Sequence, residues 1–211
     1  MKIKMLNIEN KKISEIEVSD RILKLKVNHR LIKNVLSWQL NIAKPRLART
    51  QQRNTIRGST KKIVPQKGSG GARHASRKAP IFVGGGVAHG PKGAVYKIKK
   101  INKKIKKAAL AQTLSKKNSD KNLFVLDDVK KEIKKTKEFY NFLKTNNLNN
   151  SLIVSDEETL KNINRSARNI KNVKILNEKG LNVYDLLKYK NTILTSSSIK
   201  KIENRILNEK N

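Results

Sequence analysis

Four short apolar runs stand out in the second half of the chain: Leu123-Phe124-Val125-Leu126, Leu152-Ile153-Val154, Val173-Lys174-Ile175-Leu176 and Thr192-Ile193-Leu194-Thr195. Most are nearly continuous rather than alternating, the pattern of strands covered on both faces in a parallel sheet. Their starts lie 29, 21 and 19 residues apart. Each gap has room for a helix, which predicts βαβ crossovers. The first gap holds Val129, Ile133, Tyr140 and Leu143, with Phe139 and Phe142 alongside, at spacings near one helical turn. The second opens with Ser155-Asp156-Glu157-Glu158, which reads as a capping box with Ser155 as the cap and Glu158 reaching back. In the third, Asn182 precedes Val183, Leu186 and Leu187, a shorter helix. Ile199, Ile202, Ile206 and Leu207 make a last amphipathic helix.

Upstream, Ile3, Met5 and Ile8 predict a strand, and Leu31, Ile32, Val35, Leu36 and Leu40 a helix ending near Pro45. His29 stands just ahead of that helix and reads as structural. Residues 101–117 carry Ile101, Ile105, Ala108 and Ala109 on one side, with lysines crowding the other faces. Between these two helices the periodicity disappears. All four prolines (Pro45, Pro65, Pro80, Pro91) lie here, as do nine of the ten glycines, from Gly58 to Gly93. Such a stretch cannot bury enough apolar surface to offset its chain entropy. The expected architecture is a single globular α/β domain, 1–44 and 99–211, with a mostly parallel central sheet flanked by helices. Inserted in it is a long extended basic loop, 45–98, ordered on a partner.

Charge says what kind of partner. The chain has 211 residues, with 49 Lys+Arg against 16 Asp+Glu, a formal charge of +33. Residues 21–119 hold 26 of those cations and no acidic residue at all. So concentrated a charge repels itself unless a polyanion neutralises it. Nucleic acid is one such partner and an anionic membrane surface another. A solvated basic linker would also be acid-free, but it does not need the clusters Ile63-Val64 and Ile81-Phe82-Val83 set between glycines. There is no cysteine, which removes disulfides and thiolate chemistry. The first residues, MKIKMLNIEN, do not read as a secretory signal, and no apolar run is long enough to span a bilayer.

The same residues do not make an enzyme site. Gly85 to Gly90 has the glycine spacing of a phosphate-binding loop, but Pro91-Lys92-Gly93 follows in place of Lys and Ser/Thr. Pro91 removes an N–H the cradle would need. Gly68-Ser69-Gly70-Gly71 lacks the strand before and the helix after a dinucleotide fingerprint. His74 and His89 have no carboxylate within sequence reach. Asp127-Asp128 at a strand end could hold Mg²⁺, though a helix start is the commoner meaning. No cofactor or metal is expected. An RNA-directed enzyme would depend on Asp127 or His89. A peripheral membrane binder would need large apolar residues on an amphipathic helix, and residues 101–117 offer only Ile, Ala and Leu.

RNA fits the residue types best. Arg46, Arg49, Arg53, Arg57, Lys61, Lys62, Lys67, Arg73, Arg77, Lys78 and Lys92 recur every few residues along the loop, and can track a phosphate backbone. Only Phe82 and Tyr96 are aromatic there, too few for a stacking platform, which favours recognition of folded RNA by shape and backbone.

The same loop carries a resemblance. QKGSGGARHASRKAPIFVGGGVAHGPKG, followed by KINKKIKKAALAQTLS and preceded by TQQRNTIRGSTKKIVP, resembles the bacterial form of the universal large-subunit ribosomal protein four family over about 45–117. The resemblance implies a non-enzymatic structural protein of the large subunit, in the cytoplasm and ribosome-bound, that supports early assembly. Its partners would be large-subunit rRNA, neighbouring ribosomal proteins and, in the exit tunnel, the nascent polypeptide, with no membrane. Residues Ile63–Arg73 would be innermost, with Gln66, Lys67, Gly68 and Gly70 lining the tunnel. His74 to Pro80 and Gly84 to Lys92, hence His74 and His89 too, would be packed in rRNA. The chain departs from the family pattern at Gly71, where Arg is common, and at Ile63-Val64, where relatives carry an aromatic or hydroxyl-rich lead.

Overall fold

A computed structural model of the chain describes residues 2–6, 15–93, 100–129, 132, 133 and 135–207. The anticipated strand residue Ile8 lies outside them. By contacts the chain divides into two compact units, one of Met1–Leu40 with Lys100–Asn211 and one of Asn41–Lys99.

The first unit is built on a sheet of β1 (Lys2–Leu6), β2 (Glu15–Glu17), β3 (Leu123–Leu126), β4 (Ser151–Ser155), β5 (Val173–Asn177) and β6 (Asn191–Thr195). The spatial order is β2-β1-β3-β6-β4-β5. All neighbours are parallel except β1 and β2. Register pairs Val125 with Leu194, and Ile153 with both Ile193 and Ile175. The apolar runs are continuous because both faces are covered. Leu123, Val125, Leu152, Val154 and Leu194 point into one buried cluster, and Leu126, Ile153 and Ile193 into the other.

The helices are α1 (Asp20–Leu23), α2 (His29–Ala43), α3 (Lys103–Ser119), α4 (Thr136–Thr145), α5 (Glu157–Ala167), α6 (Val183–Lys188) and α7 (Ser196–Leu207). The first cluster takes Ile22, Val35, Leu114, Leu186, Ile199 and Ile202 from α1, α2, α3, α6 and α7. The second takes Phe139 and Leu143 from α4 and Ile163 and Ala167 from α5. At roughly 25 cal/mol per Å² of apolar surface removed from water, these two layers dominate the unit's stability.

Several elements differ from the sequence expectation, each because of what its side chains pack against. The first crossover helix starts at Thr136, and Val129 and Ile133 are loop residues partly buried against the second cluster. Tyr140 is exposed, as are Leu187 and Leu207. Ser155 is not a cap: it continues β4 opposite Asn177, fully buried, and Asp156 is the residue that precedes α5. The Asp156 carboxylate pairs with Lys201, whose hydrogen bond holds it below the ordinary aspartate pKa. Asn182 does cap α6, its Oδ1 accepting from Asp185 N at 2.8 Å. His29 is exposed as the first residue of α2 and buries nothing.

The buried face of α3 is Ala109, Leu110, Ala111, Thr113, Leu114, Ser115 and Lys117, while Ile105 is exposed. Lys117 is the surprise on that face. Its ammonium donates to the carbonyls of Tyr189 (2.7 Å) and Lys190 (2.9 Å), and burial pulls its pKa below the ordinary lysine value.

Asp128 stands at a helix start, but not that of the next helix in sequence. Its carboxylate accepts from Ser196 Oγ (2.7 Å), Ser197 Oγ (2.9 Å) and Ser197 N (3.2 Å), capping α7 across the sheet.

Candidate nucleic-acid interface

The unit of 41–99 is organised by its own backbone. Two stretches run antiparallel through it, meeting at a bridge between Arg49 and Lys92. Thr50 N donates to Pro91 O (2.9 Å), Gly93 N to Ala48 O (2.8 Å) and Val87 N to Gln51 O (2.9 Å). A third stretch joins them, with Gly86 N donating to Lys78 O at 2.9 Å. Successive turns carry the chain there: Ala79 N donates to Ser76 O, Phe82 N to Ala79 O, and Gly85 N to Phe82 O. The crossings are close enough to require glycine. A Cβ on Gly86 would lie 2.2 Å from the Arg53 nitrogen, and one on Gly85 2.0 Å from the Ala79 oxygen. Their conservation of space is backbone against backbone, so no side chain can yield.

Among the described residues of this unit nothing apolar forms a core. From 41 to 93 only Gly86, Gly90 and Gly93 are buried, and Ile81, Val83 and Leu47 are exposed. Phe82 is half-buried with the His74 ring edge-on to it, centroids 4.9 Å apart. The segment contains no carboxylate, so its twelve cations from Lys44 to Lys92 have no acidic side chain of their own unit to meet.

Most of the anticipated RNA contacts fall into two groups. Arg53, His89 and Lys92 are brought together along one open groove, with Gln52, Asn54 and Val87. His89 holds a left-handed backbone (φ 58°), a rare conformation for a residue with a side chain. Arg49 adjoins Lys92 through the bridge. Arg57, Lys61, Lys62, Lys67 and Arg73 instead follow one another along the exposed stretch 57–73. There Lys62 Nζ donates to Gln66 Oε1 at 2.7 Å, and Gly68 and Gly70 have φ of 87° and 64°. Gln66 and Lys67 are exposed. Arg77 is exposed, whereas Arg46 and Lys78 are partly buried. Tyr96 lies outside the described residues.

Residue-by-residue reading overlooked two sets. Gln52 and Asn54 flank Arg53 in sequence and line its groove; carboxamides beside an arginine were the available signal. In the first unit, Trp38, Lys106, Lys107, Lys179 and Arg205 surround a second concavity, with Lys106 Nζ 3.7 Å from the centre of the Trp38 ring. Those residues are scattered over 38–205, and only the fold assembles them. Among the described residues no three His, Cys, Asp or Glu side chains gather as a metal site, and no helix is long and apolar enough to cross a membrane.

Comparison with known proteins agrees in one direction. The profile of the "Ribosomal protein L4/L1 family" matches residues 16–205. The large ribosomal subunit protein uL4 of Pelagibacter ubique (strain HTCC1062) is 50% identical over 206 residues, covering 97% of this chain and 99% of that protein. The uL4 of Geotalea uraniireducens (strain Rf4) is 38% identical, covering 96% and 97%. That of Desulfatibacillum aliphaticivorans is 39% identical, covering 98% and 99%. With a match along nearly its whole length to the profile and to each relative, the chain belongs to the ribosomal protein L4/L1 family, and is a ribosomal protein rather than an enzyme.

Proposed function

We propose that this structural constituent of the large ribosomal subunit binds large-subunit rRNA through residues 45–98, while 1–44 and 99–211 form the globular body. One observation carries the reading: a segment with no carboxylate, and among its described residues no buried apolar side chain, carries a dozen cations, and its backbone is held by hydrogen bonds and glycine crossings. Such a surface has little to offer a protein core and much to offer phosphates. Arg49, Arg53, Arg57, Arg73 and Arg77 supply forked donors, and Arg46, Lys61, Lys62, Lys67, Lys78 and Lys92 add charge. His89 contributes from the groove, and His74 acts through its contact with Phe82.

The exposed stretch with Gln66, Lys67, Gly68 and Gly70 is the part that would line the exit tunnel beside the nascent polypeptide. Support comes from its lack of side-chain cover and from the resemblance of its motif. Neighbouring large-subunit proteins are the other partners, in the cytoplasm on the ribosome, and docking of the segment contributes to early assembly.

Binding of the purified chain to large-subunit rRNA over a KCl series tests the reading. Each phosphate neutralised contributes about −0.7 to −0.9 to the log–log slope. Changing Arg53, Arg57, Lys61 and Lys62 to Glu should flatten that slope by about three to four units. A slope that these changes leave untouched would place the RNA contacts elsewhere on the chain. Placing a photo-crosslinker at Lys67 in assembled subunits should capture nascent chain; capture of rRNA alone would move the tunnel wall away from this residue.

A further inference from the structure

We propose that the groove of the 41–99 unit is a pocket for a single unstacked RNA base, so that this segment reads a nucleotide as well as tracking a backbone. The proposal rests on the rRNA-binding reading and adds to it a specific occupant. The groove measures about 520 Å³ and is open to solvent. That is within the roughly 300–1,000 Å³ of ordinary small-ligand sites and ample for one nucleotide.

Its lining has three chemically distinct parts. Pro80, Val87 and Ala88 give an apolar wall. The carboxamides of Gln52 and Asn54 each present a donor and an acceptor, and among the described residues neither side chain has a hydrogen-bond partner. Arg53 and Lys92 add two cations. A backbone-only site would need cations alone. An apolar wall beside unpaired carboxamides, between two cations and far from any carboxylate in sequence, matches a nucleotide. The base stacks on the wall and offers its edge to the amides, and its flanking phosphates meet Arg53 and Lys92. Single-stranded loops and bulges supply such splayed bases, which is how proteins read RNA sequence.

The pocket is also pre-shaped. Val87 and Ala88 of the wall face the carboxamides from a second stretch, the two held at a fixed distance by the Gly86–Arg53 crossing and by the Val87 N to Gln51 O bond. A pre-formed site spends less of its binding energy on ordering.

The test uses the full chain and large-subunit rRNA transcribed in vitro, probed with dimethyl sulfate. In the wild-type complex one unpaired A or C should be protected on its Watson–Crick edge. The Q52A/N54A double variant should restore that nucleotide's reactivity and weaken binding about tenfold, with the KCl slope unchanged. Ala88→Trp, which fills the groove, should expose the same nucleotide. An unchanged footprint in both variants, with the steep slope intact, would overturn the base pocket and leave rRNA binding standing. If the wild-type chain forms no salt-sensitive complex, both readings fall.

Discussion

Replacing Gly86 by alanine is the sharpest probe of the inserted unit. The new methyl would lie 2.2 Å from the Arg53 nitrogen and 2.6 Å from the Gln52 carbonyl carbon, both backbone atoms. Neither can rotate away, so the stretches must part by about 1 Å to reach ordinary contact. That displacement strains the Gly86 N to Lys78 O and Val87 N to Gln51 O bonds, both 2.9 Å. Each contributes about 0.5–1.5 kcal/mol net, so losing both costs about 1–3 kcal/mol. If rRNA binds the crossed form, affinity falls by roughly 5- to 150-fold. Gly71→Ala is the matched control: its Cβ would meet nothing nearer than the Ser69 oxygen at 4.0 Å, and its backbone is not left-handed. Filter binding to rRNA at fixed KCl, with thermal melts alongside, reads both. The expected result is weakened binding by Gly86→Ala alone, with the main melting transition unmoved, because no apolar side chain is buried among the described residues of this unit. Equal affinity for Gly86→Ala and Gly71→Ala would show that the crossing is not the form RNA binds.

Three further outcomes concern the body. Asp128→Ala removes the cap of α7 and should cost about 2 kcal/mol, lowering Tm by roughly 4–8 °C in a circular dichroism melt; a loss under 1 °C would reduce the three serine contacts to surface decoration. Lys117→Met leaves the Tyr189 and Lys190 carbonyls without their donor and should destabilise by about 2 kcal/mol in urea titration, whereas an unchanged midpoint would mean water replaces the ammonium freely. For Asp156, the folded carboxyl titrates below the unfolded value of 3.8, so its contribution is present above that pH and disappears as pH falls through the folded pKa. Wild type should therefore exceed Asp156→Asn by no more than about 1 kcal/mol near neutrality, and the two should converge below pH 3.8; a gap that widens in acid would contradict the Lys201 pairing.

What could be read from the chain followed from where each signal originates. β3, β4, β5 and β6 were legible because burial on both faces leaves a continuous apolar run, a local property. β2 was not, since Glu15-Ile16-Glu17 offers one apolar residue between two charges and forms only by pairing with β1. The sequence motif points to Ser155 as the cap of α5, one residue before the observed Asp156, because Ser155 fits a capping motif but is claimed by its strand, where burial outweighs capping. Lys117 reads as solvent-facing in any sequence; only the two carbonyls of 189 and 190 explain its burial. In the inserted unit the excess of charge was plain, whereas the groove was not. Gln52 meets Val87 there only because a glycine lets two stretches cross.

Asp128 also alters what this architecture is suited to. Open parallel sheets customarily hold ligands at the carboxyl ends of their strands, where the winding reverses and a helix start faces an anion. Between β3 and β6 that berth is filled by the chain's own carboxylate, tied down by Ser196 and Ser197. The scaffold is thus stoppered at the spot where open parallel sheets customarily take a ligand. Anyone wishing to engineer a phosphate receptor into this body would first have to evict that aspartate.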